Sequence, residues 1–401
     1  MKYKGASKKG ASKLRQFNDW LHLWLGLISG IIVFIVSITG CIYVFQQDIK
    51  DALEPWRFVK AQDNAFVPPS YLVDTAQKYM PNVKPTGLTY GNAEGAAAVG
   101  FNYKENGKRA FNAVFINPYT GEFIRNQKMV GEGSFNFFRF IIDGHRALWL
   151  PYEIGRPIVG VGTLIFVVLL ITGLIMWWPK KWTKANQDRS FKIKWKASFK
   201  RVNYDLHNVL GFYNLIFALI IGLTGLVWSF QWFESSVYFL ASGGQSKALH
   251  EHPHSDVTKE ALADSTISPI DAAWYKTLEL DDNIQGMFMH PTVKDDEAVE
   301  MLVYHDHGSF YNQSEYFFDQ YTHELIESEH FTEAGLADQL SMLNYDMHIG
   351  VVWGMPGKIL AFLVSLVCAS LPITGFLVWW NKKKKSKKKK PKIKKKLEVV
   401  S

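Results

Sequence analysis

Four uninterrupted apolar runs dominate the hydropathy of this 401-residue chain, at 21–45, 158–178, 210–230 and 359–380. None contains Asp, Glu, Lys or Arg. Roughly twenty apolar residues cross a bilayer core as a helix, so the pattern predicts four membrane spans. Between them, 46–140 and 231–343 are polar enough to fold outside lipid. The first of these stretches predicts a helix over 71–79. It then predicts two alternating strands, 96–103 and 110–116, around Glu105-Asn106-Gly107, a sequence suited to a hairpin turn. The run Phe115-Ile116-Asn117-Pro118-Tyr119-Thr120-Gly121-Glu122 has a counterpart in Phe317-Phe318-Asp319-Gln320-Tyr321-Thr322-His323-Glu324. Tyr119 precedes His145 by 26 residues and Tyr321 precedes His348 by 27. Such near-equal spacing predicts two copies of one unit, each a span, an outer domain and a His-led span. The copies differ at His323 against Gly121 and at Gln320 against Pro118, which predicts a diverged outer role for the second.

Charge orients the spans. Segments 1–19, 179–203 and 381–401 hold 6, 9 and 12 of the 45 Lys and Arg residues. Basic excess marks the cytoplasmic side, so both termini are expected inside and both long loops outside. The resulting plan is 1–19 basic terminus, 20–45 first span, 46–140 first outer domain, and 141–178 His-led segment and second span. It continues with 179–203 basic loop, 204–230 third span, 231–343 second outer domain, 344–380 His-led segment and fourth span, and 381–401 Lys-rich tail. That tail follows Trp379-Trp380 directly, so it reads as a lipid-facing cytoplasmic stop and argues against nucleic acid as a partner. Ile38-Thr39-Gly40-Cys41 has the look of a lipoprotein cleavage box, but the apolar region is too long for a signal peptide. Cys41 is therefore expected within a helix. The only other cysteine is Cys368, and there is no CxxCH motif, so any haem must be held non-covalently.

Each predicted span is led by one histidine and carries one Thr-Gly pair. His22 and His207 precede Thr39-Gly40 and Thr224-Gly225 by 17 residues each. His145 and His348 precede Thr172-Gly173 and Thr374-Gly375 by 27 and 26. A titratable group at membrane depth is costly unless it faces the protein interior. For one histidine an interfacial role suffices; four at matched positions point to a shared ligand.

The strand followed by Asn117-Pro118-Tyr119-Thr120-Gly121-Glu122 resembles the C-terminal part of a PepSY domain. With the stretches WLHLWLGL, DGHRALWL, YDLHNVLGFY and YDMHIGVVWG, nearly the whole chain resembles the PepSY-associated transmembrane family. That family includes haem-carrying siderophore-iron reductases of the bacterial inner membrane. The resemblance implies an α-helical membrane protein with four transmembrane helices built from two repeats, each with an α+β PepSY-like extracytoplasmic domain. It implies two non-covalent b-type haems, with His22 facing His207 near the cytoplasmic side and His145 facing His348 near the outer side. Paired imidazoles make a six-coordinate iron. Electrons would then pass outward to ferric siderophore iron or another outer acceptor. No Rossmann fingerprint or P-loop is present, so a quinol or a cytoplasmic reductase is the expected donor. The competing reading is a non-redox envelope protein whose PepSY domains bind a peptidase or peptide. A permease finds little room among four spans.

Other residues carry weaker expectations. Arg15, Arg146 and Arg201 lie near the proposed haems and can pair with propionates, or simply set topology. Asp143, Asp205 and Asp346 each precede a histidine by two positions; on a helix those positions diverge, so contact requires irregular backbone. Pro157 and Pro356 are expected to end or kink a helix between histidine and span, placing His145 about 20 Å from Ile158 if the intervening chain is helical. Gly26 and Gly30 form a GxxxG that permits close helix approach. The tryptophans near the span ends read as an interfacial belt. His250-Glu251-His252-Pro253-His254 and His305-Asp306-His307 are candidate transition-metal ligands, with a polar loop as the simpler reading.

Overall fold

The structure, a computed structural model, describes residues 12–247, 252–262, 266–291, 294 and 296–388. The chain separates into a helical unit (Met1–Cys41, Asp143–Ser229 and Ala361–Ser401) and a sheet unit (Ile42–Ile142 and Phe230–Leu360).

Three helices are long and apolar enough to cross a membrane: Lys13–Tyr43, Tyr152–Trp177 and Val351–Lys383. The run expected as the third span is broken instead. It forms two helical pieces, Phe199–Tyr213 and Leu215–Ser229, which meet at 65°, so the chain has four spans if that bent pair counts as one. A π-helical turn, Leu206–Leu210, carries His207, and the bend falls at Asn214. The buried Asn214 amide donates to the Val364 carbonyl at 3.1 Å and to Cys368 Sγ at 3.1 Å. A polar side chain therefore anchors the break inside the helical unit, where a buried amide left without partners would cost a few kcal/mol. Cys41 lies within the first helix and donates to the Phe362 carbonyl.

The prolines do not act as their positions suggested. Helix Phe137–Ala147, which carries His145, ends before Pro151, and Leu148 and Trp149 both adopt positive φ there. Pro157 sits inside the next helix, Tyr152–Trp177. Near His348 the breaks are Gly350 (φ 80°) and Gly354 (φ 58°), and Pro356 falls in the opening turn of helix Gly354–Lys388. His145 and His348 thus sit on short helices of their own rather than on the spans that follow them. Nor does the GxxxG face one partner: a Cβ on Gly26 would meet Leu169, and one on Gly30 would meet Pro372.

In the sheet unit eight strands are described: β1 (Gly87–Tyr90), β2 (Ala97–Glu105), β3 (Lys108–Ile116), β4 (Phe123–Val130), β5 (Gly286–Met289), β6 (Val299–Tyr304), β7 (Gln313–Phe318) and β8 (Leu325–His330). Where the sequence suggested two outer domains, all eight join one antiparallel sheet, ordered β4-β3-β2-β1-β5-β6-β7-β8. The two stretches meet at the β1–β5 pair, with Leu88 opposite Met289 and Tyr90 opposite Met287. Helices Pro69–Gln77 and Pro269–Leu280 cover one face. Leu72, Leu88, Phe101, Ile116, Met287, Met289, Met301 and Phe318 are buried there with Trp274. Each such side chain contributes about 1.5–3 kcal/mol of burial. Asp271 on the second helix accepts from the Ser70 backbone N–H at 2.8 Å and from the Ser70 hydroxyl, fastening the start of the first.

The expected hairpin is present: Asn106 (φ 49°) and Gly107 (φ 76°) form the two-residue turn between β2 and β3. The paired motifs also fold alike. Asn117 Oδ1 accepts from Tyr119 N at 2.9 Å, and Asp319 Oδ1 accepts from Tyr321 N at 2.9 Å. Gly121 (φ 72°) and His323 (φ 59°) occupy the same left-handed step. The substitution of His for Gly keeps the turn, since His tolerates this region better than most residues. The same change cannot be made at Gly121, where an added Cβ would run into the Tyr71 ring. Gly121→Ala is expected to destabilise the sheet unit by roughly 2–5 kcal/mol, from left-handed strain and overpacking. The readout is the melting temperature, and an unchanged value would mean that Tyr71 yields freely.

Candidate functional site

In the helical unit, His22 and His207 lie side by side, with ring centres 6.4 Å apart and planes at 82°. Each is held by a Thr-Gly pair on a helix other than its own. His22 Nδ1 stands 2.9 Å from Thr172 Oγ1, and His207 Nδ1 stands 3.0 Å from Thr374 Oγ1. The glycine beside each threonine makes room for the ring. A Cβ on Gly173 would approach His22 Cε1 to 3.3 Å, and one on Gly375 would approach His207 Cε1 to 3.1 Å. His145 is treated the same way, with Nδ1 at 3.3 Å from Thr39 Oγ1 and Gly40 against its Cε1.

The proton positions follow from these partners. Each threonine hydroxyl has one hydrogen and points it back along its helix, Thr172 to Val168 O at 2.9 Å and Thr374 to Ser370 O at 3.0 Å. Its oxygen is left to accept, so the facing Nδ1 carries the proton. At His145 the argument is tighter still, because Nδ1 lies 2.9 Å from the Val36 carbonyl, which can only accept. In each neutral ring the lone pair is therefore on Nε2. Fixing one imidazole nitrogen so that the other can bind a metal is the usual arrangement around metal-ligating histidines.

Two asparagines that the sequence reading passed over complete the pattern. Asn18, one turn before His22, donates to the Thr172 carbonyl at 3.1 Å; Asn203, one turn before His207, donates to the Thr374 carbonyl at 3.0 Å. The repeated Asn-x-x-x-His spacing was the available signal. Thr39-Gly40, Thr172-Gly173 and Thr374-Gly375 each meet a histidine from another segment of the chain.

The spacing of His22 and His207 suits one metal between them. An imidazole nitrogen bonds a metal at ~2 Å and lies ~1.1 Å from its ring centre, so two rings on opposite sides stand roughly 6.3 Å apart. Among the described residues no group of three or more His, Cys, Asp or Glu side chains converges on a metal position. A bare ion would therefore be under-coordinated. A metal bringing its own equatorial ligands needs only the two nitrogens present. His348 lies at the end of helix Leu336–Ile349 in the sheet unit.

The remaining candidates separate. Asp205, fully buried, accepts from Arg201 Nε at 2.8 Å and Lys194 N at 3.2 Å. Asp346, equally buried, accepts from Ser309 Oγ, Phe310 N and Tyr311 N at 2.9, 2.7 and 2.7 Å. Both carboxylates thus fasten neighbouring chain. Arg201 is half-buried and its Nη2 finds no partner, whereas Arg146 is exposed. Among the described residues the loop histidines do not gather with other ligating side chains around a metal position. His254 Nδ1 bonds the Asp296 carbonyl at 3.0 Å, His307 faces Asn92 at 3.3 Å and Asp306 accepts from Asn312 at 3.0 Å. His250 and Glu251 lie outside the described residues.

Comparison with known families supplies the identity of the scaffold. The profile of the PepSY-associated TM region matches residues 20–382. The chain belongs to that family. A comparison with curated proteins returned no match. Membership accounts for the combination of apolar helices and sheet, and makes this PepSY-associated protein a multi-pass membrane protein resident in a lipid bilayer.

Proposed function

We propose that this PepSY-associated protein is a haem-containing electron-transfer protein of the bacterial inner membrane that reduces an acceptor outside the cytoplasm, ferric siderophore iron above all. The observation that carries the proposal is the pairing of His22 and His207 at 6.4 Å, each with Nδ1 held by a threonine and each backed by a glycine. His145 has the same threonine and glycine support, and we assign it to a second centre. A bis-imidazole haem supplies reversible one-electron chemistry, and its potential is set by ligands and surroundings. The chain's own part is placement. Thr172 and Thr374 fix the rings, Asn18 and Asn203 tie the helix turns that carry them, and apolar helices exclude water. Arg201, with its unpartnered Nη2, is the described arginine best prepared to receive a propionate.

In this reading the chain is two repeats of span, outer strands and His-led span. The bent pair is the third span, and the basic segments keep both termini cytoplasmic. A quinol or a cytoplasmic reductase supplies electrons, which cross roughly 30 Å of hydrocarbon. Reduction releases iron because oxygen chelators, as hard ligands, hold Fe(III) far more tightly than Fe(II). A visible spectrum of the purified protein before and after dithionite tests this. A reducible Soret band with low-spin α and β bands, at about two haems per chain, is expected. A colourless, folded preparation would replace the proposal with the non-redox binding module.

A further inference from the structure

Outside the helical unit, a second set of imidazoles is organised around a serine. Ser314 on β7 is only 3% exposed. Its Oγ lies 2.7 Å from His305 Nε2 and 2.8 Å from Nδ1 of His330, its cross-strand partner on β8. His305, just after β6, has its Nδ1 2.9 Å from the Asn283 carbonyl and 3.7 Å from Asp281 Oδ1. Tyr316 lies two residues beyond Ser314 on the same face of β7. It packs edge-on against the His330 ring at 5.5 Å and donates to Asp281 Oδ2 at 3.0 Å. Burial, then the neighbouring Asp281, pushes the Tyr316 phenol up to about 12, so it remains a donor. Nearby acids point elsewhere: Asp306 accepts from Asn312 and Glu315 from Gln313, while Glu329 pairs opposite Glu315.

We propose that Asp281, His305, Ser314 and His330 form a proton relay, which takes up one proton at His330 and carries it through the Ser314 hydroxyl to His305.

The hydrogen-bond pattern fixes the direction. The Asn283 carbonyl can only accept, so His305 Nδ1 carries a proton and its Nε2 a lone pair. Ser314 therefore donates to His305, and His330 Nδ1–H donates to Ser314. A proton arriving at His330 Nε2 releases the Nδ1 proton to Ser314 Oγ, and the serine proton passes to His305 Nε2. Only N–H and O–H bonds break and form, no bond between two heavy atoms changes, and the count balances: one proton enters, and one imidazolium forms on His305 opposite the Asp281 carboxylate. His330 ends neutral with its Nε2 protonated. A second proton is disfavoured, because two imidazolium rings would then flank one hydroxyl at short range. Access to a substrate is what Ser314 lacks, so the constellation moves protons rather than attacking carbonyls.

The charge has a place to act. His305 opens the loop whose residues Ser309, Phe310 and Tyr311 are fastened to Asp346. Asp346 lies on the helix that carries His348. The filled relay thus adds one positive charge at the root of the segment that braces that helix. Only this consequence rests on the electron-transfer reading above.

The test uses the full chain in lipid nanodiscs, with its histidines labelled by 15N, titrated from pH 5 to 8. The two rings are expected to share one midpoint and to take up one proton between them. Ser314→Ala is expected to split them into separate titrations, and Ser314→Thr to restore the shared midpoint. Separate midpoints in the wild type, with one proton per ring, would overturn the relay, as would an unchanged titration in Ser314→Ala. If Ser314→Ala does not fold, His330→Gln is read instead: the His305 midpoint must move, and an unmoved one refutes the proposal. Haem content does not enter any of these readings, so a colourless protein that passes the test keeps the relay and loses only the electron-transfer proposal.

Discussion

On the proposed two-haem reading, His207→Ala is expected to lower the haem content of the purified protein from about two per chain to about one. The loss follows from having only two protein ligands at the proposed centre. The rings of His22 and His207 stand 6.4 Å apart, and among the described residues no third ligating side chain stands by to replace either. Removing one imidazole leaves the metal one protein bond and opens a void against Gly375. Mutations of partners around metal-ligating histidines commonly cost 10–100-fold in affinity, and removing the ligand itself should cost more. His22→Ala should give the same single loss. Because both residues serve one centre, the double variant should lose no more than either alone, the non-additivity expected of coupled residues. Combining His22→Ala with His145→Ala should empty both centres. The measurement is the pyridine haemochromogen content per chain with a dithionite-reduced spectrum. If His22→Ala and His207→Ala each retained full content, the pair would not be ligands; if their double variant lost both haems, they would belong to different centres.

The sequence made several elements legible because their causes are local. The hairpin at Asn106-Gly107 needs two residues tolerant of positive φ, and those two supply it. The helix expected over 71–79 forms as Pro69–Gln77, and three of the four apolar runs lie in long helices because no Asp, Glu, Lys or Arg interrupts them. What escaped the reading depends on tertiary partners. The bend at Asn214 exists because that amide reaches Val364 and Cys368, which are distant in sequence. The helix breaks fall at Leu148–Pro151 and at Gly350, upstream of the prolines that seemed to mark them. The strands close into one sheet because β1 finds β5 across some 200 residues, and no short-range pattern announces such a pairing.

The candidate site shows the same division. Four histidines stood out because titratable side chains are rare beside such apolar runs, and the Thr-Gly pairs stood out by recurrence. Their relation was hidden, since spacing along one span says nothing about which ring a threonine on another helix will meet. Thr172 and Thr374 lie 150 and 167 residues from the histidines they hold. The asparagines at Asn18 and Asn203 were visible as a repeated Asn-x-x-x-His, but their meaning lies in carbonyls reached only after folding.

Gly375→Leu is expected to abolish the proposed centre shared by His22 and His207 while leaving both histidines in the chain. At Gly375 a Cβ would stand 3.1 Å from His207 Cε1, 3.6 Å from Nδ1 and 3.8 Å from Nε2. Alanine there demands a shift of only a few tenths of an ångström, and should be tolerated with weakened retention. Leucine adds three further carbons against the imidazole edge, in an interior packed closely enough that added methylenes cost about 1–3 kcal/mol. The ring must rotate away, and rotation breaks the Nδ1 contact with Thr374 that aims Nε2. The expected readout is a fall to about one haem per chain with helix content unchanged by circular dichroism. Gly211→Ala is the matching control, since its Cβ would meet only Leu371 Cδ2 at 3.7 Å, an ordinary contact. Should Gly375→Leu keep both haems with an unaltered spectrum, the glycine would be a packing residue and the ring it borders would not be a ligand.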